Sequence, residues 1–260
     1  TKSMMIKKFT TTKLKIALTA ALTIGCLLST NMLHAQDEDD DKFGMSVSLN
    51  SDALFGFYPF FAGSYAINDG LDFTFYGILW SGGTGGEALG WGNWTEFGIG
   101  LGFPVGDALY VNPQIGLLNG SLLSTATNPE FAEGIVPNIT VLLDNGSVEG
   151  EFYLGYYYGF DYNAVGSNNF LHWWASAGYQ FNGFVSAGLH FEQLQLAGGE
   201  GVDESANIYV SPAPYIKFSD PKGSGAFAKF LAGPDIRDDE ERSRGGDLNS
   251  FYKLSVGFSF

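Results

Sequence analysis

Phe251-Tyr252-Lys253-Leu254-Ser255-Val256-Gly257-Phe258-Ser259-Phe260 is the stretch whose reading decides the fold. Read with period two, Tyr252, Leu254, Val256, Phe258 and Phe260 share one face, and Lys253, Ser255, Gly257 and Ser259 share the other. This is a β-strand with one apolar side. Such a side must be covered, either by a second protein layer, as in a sandwich, or by hydrocarbon, as in a membrane barrel.

The rest of the chain favours hydrocarbon. From Phe43 onward, apolar alternation broken by turn residues predicts strands near 43–50, 53–67, 71–80, 94–103, 109–119, 131–143, 148–161, 169–181, 185–195, 207–218, 226–234 and 250–260, with no helix of convincing period. About twelve strands is an even count, as expected when both ends of a bacterial barrel lie on the periplasmic side. The connections after the second, fourth, sixth, eighth and tenth strands are short or turn-like: Asn68-Asp69-Gly70, Pro104 to Asp107, Asp144 to Ser147, Asn182-Gly183-Phe184 and Ser219 to Gly225. They carry tight-turn chemistry. Those between are longer, except the first, around Asn50-Ser51-Asp52. Short turns on one rim and long loops on the other is the outer-membrane arrangement, and a sandwich has no reason to alternate this way. The expected fold is an all-β, up-and-down antiparallel transmembrane barrel over 43–260. Tyr252, Val256, Phe258 and Phe260 on its closing strand look like the assembly signal of such barrels.

Facing follows from parity. Leu109, Val111, Pro113, Ile115 and Leu117 are expected to face lipid, as are Phe152, Leu154, Tyr156, Tyr158 and Phe160, with several such runs ending in aromatic residues suited to the headgroup level. The opposite faces supply the lumen, whose charged and polar candidates are Glu96, Glu149, Glu151, His172, Ser176, His190, Glu192, Lys217, Lys229 and Lys253. Acids fall on the fourth and seventh strands and lysines on the tenth to twelfth. Facing across water, they would set a transverse field of the kind a selective pore uses; paired, they would plug it.

Composition agrees. Aromatic and charged residues are 16% each, and 36 glycines accompany them, which suits strands with one face to lipid and one to water. Lys2, Lys7, Lys8, Lys13 and Lys15 precede position 36 in a segment without acids. Removing them from the 13 basic residues leaves 8 against 28 acidic ones, net -20, which excludes nucleic-acid binding through phosphate neutralisation. Lys7 to Lys15, the apolar run Ile16 to Leu28 and Leu33-His34-Ala35 read as a signal peptide over 1–35, the run being short of the roughly 20 residues of a membrane helix. Residues 36–42, with Asp37 to Asp41, read as a solvated acidic linker. Cys26, the only cysteine, lies in the leader; Thr23-Ile24-Gly25-Cys26 loosely matches a lipidation motif but lacks its usual Leu.

Two chemical constellations invite a test. If Asn182-Gly183-Phe184 is a three-residue turn, Phe181 pairs with Val185, placing Ser176 opposite His190 and Trp174 opposite Glu192. Ser, His and Glu on one face are the parts of an acyl hydrolase. Lumens are rich in these residues, however, and no Gly-x-Ser-x-Gly elbow occurs, so the chain is read as no enzyme. His172, His190 and Glu192 are too few for a metal-site reading, and no cofactor motif is present. Mixed charges from Asp235 to Asp247 read as a solvated loop.

Ser48-Leu49-Asn50-Ser51-Asp52-Ala53, Phe73-Thr74-Phe75-Tyr76-Gly77-Ile78, Asn93-Trp94-Thr95-Glu96-Phe97-Gly98 and Gly134-Ile135-Val136-Pro137-Asn138, with the closing strand, resemble a family of uncharacterised secreted Gram-negative proteins, a domain of unknown function. The resemblance implies an outer-membrane barrel. The expectation is a porin-like passive channel for small solutes. Its rivals are a non-conducting structural or surface-binding barrel and a lipid hydrolase using Ser176, His190 and Glu192. Expected partners are outer-membrane lipid and lipopolysaccharide, the barrel assembly machinery and small solutes.

Overall fold

The computed structural model describes residues 42–80, 94–123, 130–160, 167–200, 202–245 and 248–260. The expected signal peptide, Cys26, all of the acidic linker except Lys42, and the connections at 81–93, 124–129 and 161–166 lie outside the described residues. Twelve strands follow one another: β1 (Phe43–Asp52), β2 (Gly56–Asn68), β3 (Leu71–Trp80), β4 (Trp94–Val105), β5 (Leu109–Gly120), β6 (Glu130–Asp144), β7 (Val148–Gly159), β8 (Asn169–Gln180), β9 (Val185–Gly198), β10 (Ala206–Ser219), β11 (Phe227–Pro234) and β12 (Ser250–Ser259). Each pairs antiparallel with its neighbours in sequence, and β1 pairs with β12 from Ser46↔Ser259 to Asp52↔Lys253, closing the barrel. Met45 and Phe260 exchange backbone hydrogen bonds of 2.7 and 2.8 Å at that seam. Closure pairs the first strand with the last, so neither is left as a free edge of the sheet.

One rim is built from turns whose side chains satisfy their own backbone. Asn68 Oδ1 accepts from Gly70 N–H, Asp144 Oδ1 from Gly146 N–H, and Asn182 Oδ1 from the N–H groups of Phe184 and Val185, at 2.8–2.9 Å. Gly106 and Gly146 hold the left-handed backbone these turns require, at φ 66° and 79°. In the turn after β10, hydrogen bonds from the Ser224 side chain and the Lys222 backbone hold the exposed Asp220 carboxyl below the usual carboxylate range.

The outward face is apolar along nearly every strand. Phe57, Tyr65, Phe97, Ile99, Leu101, Ile115, Leu154, Leu189, Phe230, Tyr252 and Leu254 are exposed there. Val256 and Phe260 share that exposed face with them, and Phe258 is half-buried. Inward side chains are buried toward the long-loop rim and increasingly open toward the short-turn rim. Ile78, Trp94, Leu118, Val136, Tyr157, Phe170, Leu194, Tyr209 and Phe251 make a packed core inside the barrel, at the long-loop end. Close packing there uses glycine: a Cβ at Gly98 or Gly116 would fall on the Tyr76 side chain, which crosses β4 to reach β5.

Two sequence expectations are corrected. The second strand was expected from residue 53, but Ala53, Leu54 and Phe55 leave the wall and turn inward, because Asp52 Oδ1 accepts from Leu54 N–H at 2.9 Å and Phe55 N–H at 2.6 Å. Charged residues 235–247 are not simply a solvated loop. Asp239–Gly245 form a short helix, α1, and Asp235 and Arg237 are buried against each other with an ion pair of 2.7 Å. The reason lies in β10. Val210 points its N–H and C=O toward the β11 side, at Asp235 Oδ1 and Ile236 N–H, so alternate residues Pro212 and Pro214 also face β11 and bring no donor. Ladder pairing with β11 stops at Tyr215↔Leu231, and the Asp235–Arg237 pair, with Arg237 donating to Asn207 C=O at 2.7 Å, closes the wall beyond it.

Candidate functional site

The lumen divides into three layers. At the long-loop end an aromatic plug fills it. Phe55, carried inward by the Asp52 turn, packs on Trp80 (ring centroids 4.5 Å), Tyr58 (6.1 Å), Trp94 (6.5 Å) and His172 (5.9 Å). A second carboxylate does the same work opposite: Glu133 accepts from the N–H groups of Leu122 and Leu123 at 3.0 and 2.6 Å, drawing the loop after β5 over the core. Leu123 is fully buried as a result. Among Phe55, Trp80, Trp94, Leu122, Tyr157, Phe170, His172 and Leu194 lies a cavity of about 10 Å³, room for no more than about one water molecule.

Beneath the plug lies a layer of buried polar groups. Glu192, fully buried, is its hub. Its carboxylate accepts from Tyr209 OH at 2.7 Å and Lys253 Nζ at 3.0 and 3.2 Å, and both His172 Nε2 and His190 Nε2 lie 2.9 Å from it. Lys253, whose ammonium binds the hub, stands directly opposite Asp52 in the β1–β12 register, which places the residue that turns the plug inward on the neighbouring strand. Across the lumen Glu96 accepts from Tyr76 OH at 2.6 Å, and Asn138 donates to the same hydroxyl at 2.8 Å. Buried charge persists only with such partners.

The third layer, at the short-turn end, is wet. Glu149 accepts from Lys217 Nζ (2.8 Å), Ser186 Oγ (2.7 Å) and Tyr215 OH (2.9 Å). Glu151 accepts from the Trp174 indole N–H at 2.8 Å. Lys229 Nζ lies 4.5 Å from the Tyr215 ring centre. Tyr110 OH donates to Asp72 at 2.6 Å, and Leu142, an inward apolar residue, is 44% exposed.

The ten lumen residues singled out from sequence thus fall into two groups. Glu96, His172, His190, Glu192 and Lys253 join the buried layer; Glu149, Glu151, Ser176, Lys217 and Lys229 line the wet one. Lysines and acids meet in pairs, Lys217 with Glu149 and Lys253 with Glu192, rather than facing each other across open water. The register expected for β8 and β9 is present, with Ser176 opposite His190, Trp174 opposite Glu192, and Phe181 N–H bonded to Val185 C=O. A nucleophile relay is not formed: His190 Nε2 is engaged by Glu192, and its Nδ1, the nitrogen left to face a serine, has no hydrogen-bond partner. Sequence reading missed the plug. Asp52-Ala53-Leu54-Phe55-Gly56 carried the signal, an Asp able to hold its own turn followed by two large apolar residues that a solvated loop would not expose.

The model of a family of unknown function, DUF6733, matches residues 10–260. The chain belongs to that family. No curated protein sequence matches this DUF6733 chain. Among solved structures, the KdgM porin is similar at 12% identity and TM-score 0.45, over 83% of this chain and 99% of that one; a second KdgM structure, in complex with disordered oligogalacturonate, gives the same figures. A variant of OccD1 (OprD) is similar at 9% identity and TM-score 0.44, over 86% of this chain and 67% of that one.

Proposed function

We propose that the protein is an outer-membrane barrel whose lumen does not conduct in the state described: sealed on the outside, open as a polar vestibule to the periplasm. The apolar outward face supports the membrane, since side chains such as Leu189 and Phe97 have no protein layer over them among the described residues, and the short turns support a periplasmic side for their rim. Outer-membrane lipid and lipopolysaccharide are then its surroundings. Tyr252, Val256, Phe258 and Phe260 are the face offered to the assembly machinery. The single observation behind the closed lumen is the plug around Phe55, which leaves a cavity of about 10 Å³ where a porin needs a continuous water path. No catalytic role is assigned to Ser176, His190 or Glu192.

In planar bilayers the purified protein is expected to give no ion steps while remaining folded. Steady unitary conductance in the unmodified protein would overturn the reading. A second reading, a small-solute channel that opens on demand, is favoured by one observation: the centre of the plug comes from a hairpin tip held by Asp52 and not from the wall. Under it, Asp52→Ala, which frees the tip, yields conductance that the unmodified protein lacks.

A further inference from the structure

Lys217 on β10 and Lys229 on β11 stand directly opposite each other with both side chains inward. Like charges at facing positions of neighbouring strands destabilise a sheet, so the pair calls for an anion. Lys217 has one in Glu149 at 2.8 Å. Lys229 does not: its ammonium lies over the Tyr215 ring, and among the described residues no carboxylate comes within ion-pair distance of it. The other charges of this neighbourhood are engaged, Glu151 by Trp174 and Lys253 by Glu192.

Glu149 shows what the site recognises. Three donors, Lys217 Nζ, Ser186 Oγ and Tyr215 OH, converge on its carboxylate, which reaches across from β7. That reach needs empty space on the strands between. Gly178 on β8 faces Gly188 on β9, and a Cβ at Gly178 would collide with the Tyr215 hydroxyl. Glycine lets the tyrosine lie flat over two strands and present its OH to β7. Ser255, opposite Lys229 on β12, adds a hydroxyl to the same face. Water reaches the cradle from the Lys217 side, whose side chain is 30% exposed against 14% for Glu149, while Ser186 and Tyr215 are buried beneath.

We propose that Lys217, Lys229, Ser186 and Tyr215 form a binding site for the carboxylate of a small solute entering from the short-turn rim. Glu149 is its tethered internal competitor and Lys229 the ammonium that receives the incoming group. The site rests on the preceding section only for naming that rim periplasmic. Isothermal titration of the detergent-solubilised barrel with succinate, at low ionic strength, tests it. Saturable binding at millimolar concentration is expected, weakened at least tenfold in Lys229→Gln, strengthened several-fold in Glu149→Gln, and unchanged in Lys222→Gln, whose lysine lies in an exposed turn. Absence of saturable binding, equal affinity in Lys229→Gln, or equal loss in Lys222→Gln would each overturn the site. Inorganic phosphate as a second titrant decides the class of anion: affinity tenfold above that of succinate would overturn the carboxylate assignment. Should Lys229→Gln fail to fold, the Glu149→Gln arm decides, because an unchanged affinity there contradicts internal competition. Both rims face bulk solvent in detergent, so the solute reaches the vestibule whether or not the lumen conducts. A conducting barrel that binds succinate refutes the closed lumen alone, and a silent barrel that does not bind refutes the site alone.

Discussion

At the scale of single residues, Glu192 carries the most. One fully buried carboxylate holds Tyr209, two buried imidazoles and the largely buried Lys253. Glu192→Ala leaves the Lys253 ammonium buried without its counter-charge, and losing one member of a buried pair costs roughly 3–5 kcal/mol. Urea unfolding in lipid vesicles should show that loss; a change below about 1 kcal/mol would mean that the network relaxes around the gap. Asp220 offers a smaller check. Its carboxyl is held below the usual range by Ser224 and Lys222, so the turn gains stability from the carboxylate above the ordinary aspartate pKa of about 3.9 and loses it as pH falls through the lowered folded value. An NMR titration of the Asp220 carboxyl carbon should find its midpoint below about 3.9; a midpoint above that contradicts the turn bonding. Ser176→Ala should leave any phospholipid deacylation in the preparation unchanged, and a drop would restore the relay that His190 does not make. At this scale the sequence showed which residues face inward, because parity is a backbone property. It did not show who bonds whom: Glu192 meets Lys253 across two intervening strands, a distance no local pattern encodes.

Among the elements, the β1–β2 hairpin and the β10–β11 seam are where local chemistry departs from the regular ladder. Phe55 contributes its whole ring to the plug from a turn, so Phe55→Ala should destabilise by about 3–5 kcal/mol, as large core truncations do, in the same unfolding assay. A cost near zero would show that the tip only rests on the core. At the seam, Arg237→Met removes the donor that holds Asn207 C=O and the partner of buried Asp235. Hydrogen exchange at Val210 and Ile236 should then rise while that at β5–β6 does not; uniform protection would contradict a sealing role. Strand positions were legible to within a few residues, since turn residues punctuate every boundary on the short rim. The exceptions have physical causes. Leu54 and Phe55 continued an apolar run, and only the Asp52 side chain diverts them. The 235–247 segment had the charge of a solvated loop; Pro212 and Pro214 take two donors from the β11-facing edge of β10, and Asp235 and Arg237 are drawn into the wall beside it, where Val210 N–H donates to Asp235.

For the whole molecule, twelve strands enclose a lumen wide enough to carry water yet narrow enough for side chains to fill, and this sequence does both at opposite ends. The twelve-stranded barrel was legible from alternation, even count and rim asymmetry. Whether it is open was not, because that depends on side chains from separate loops meeting over the same axis, as Phe55 and Leu123 do. Site-directed labelling tests this division most directly. With Cys26 replaced by Ser, single cysteines are placed at Ser255, in the wet layer, and at Ser211, inward on β10 and fully buried. Both are near-isosteric changes. In the folded barrel in lipid vesicles permeabilised to a charged thiol reagent, Cys at 255 should label promptly and Cys at 211 only after unfolding. Comparable labelling at both positions would mean that water runs the length of the lumen, contradicting a barrel closed at its outer end.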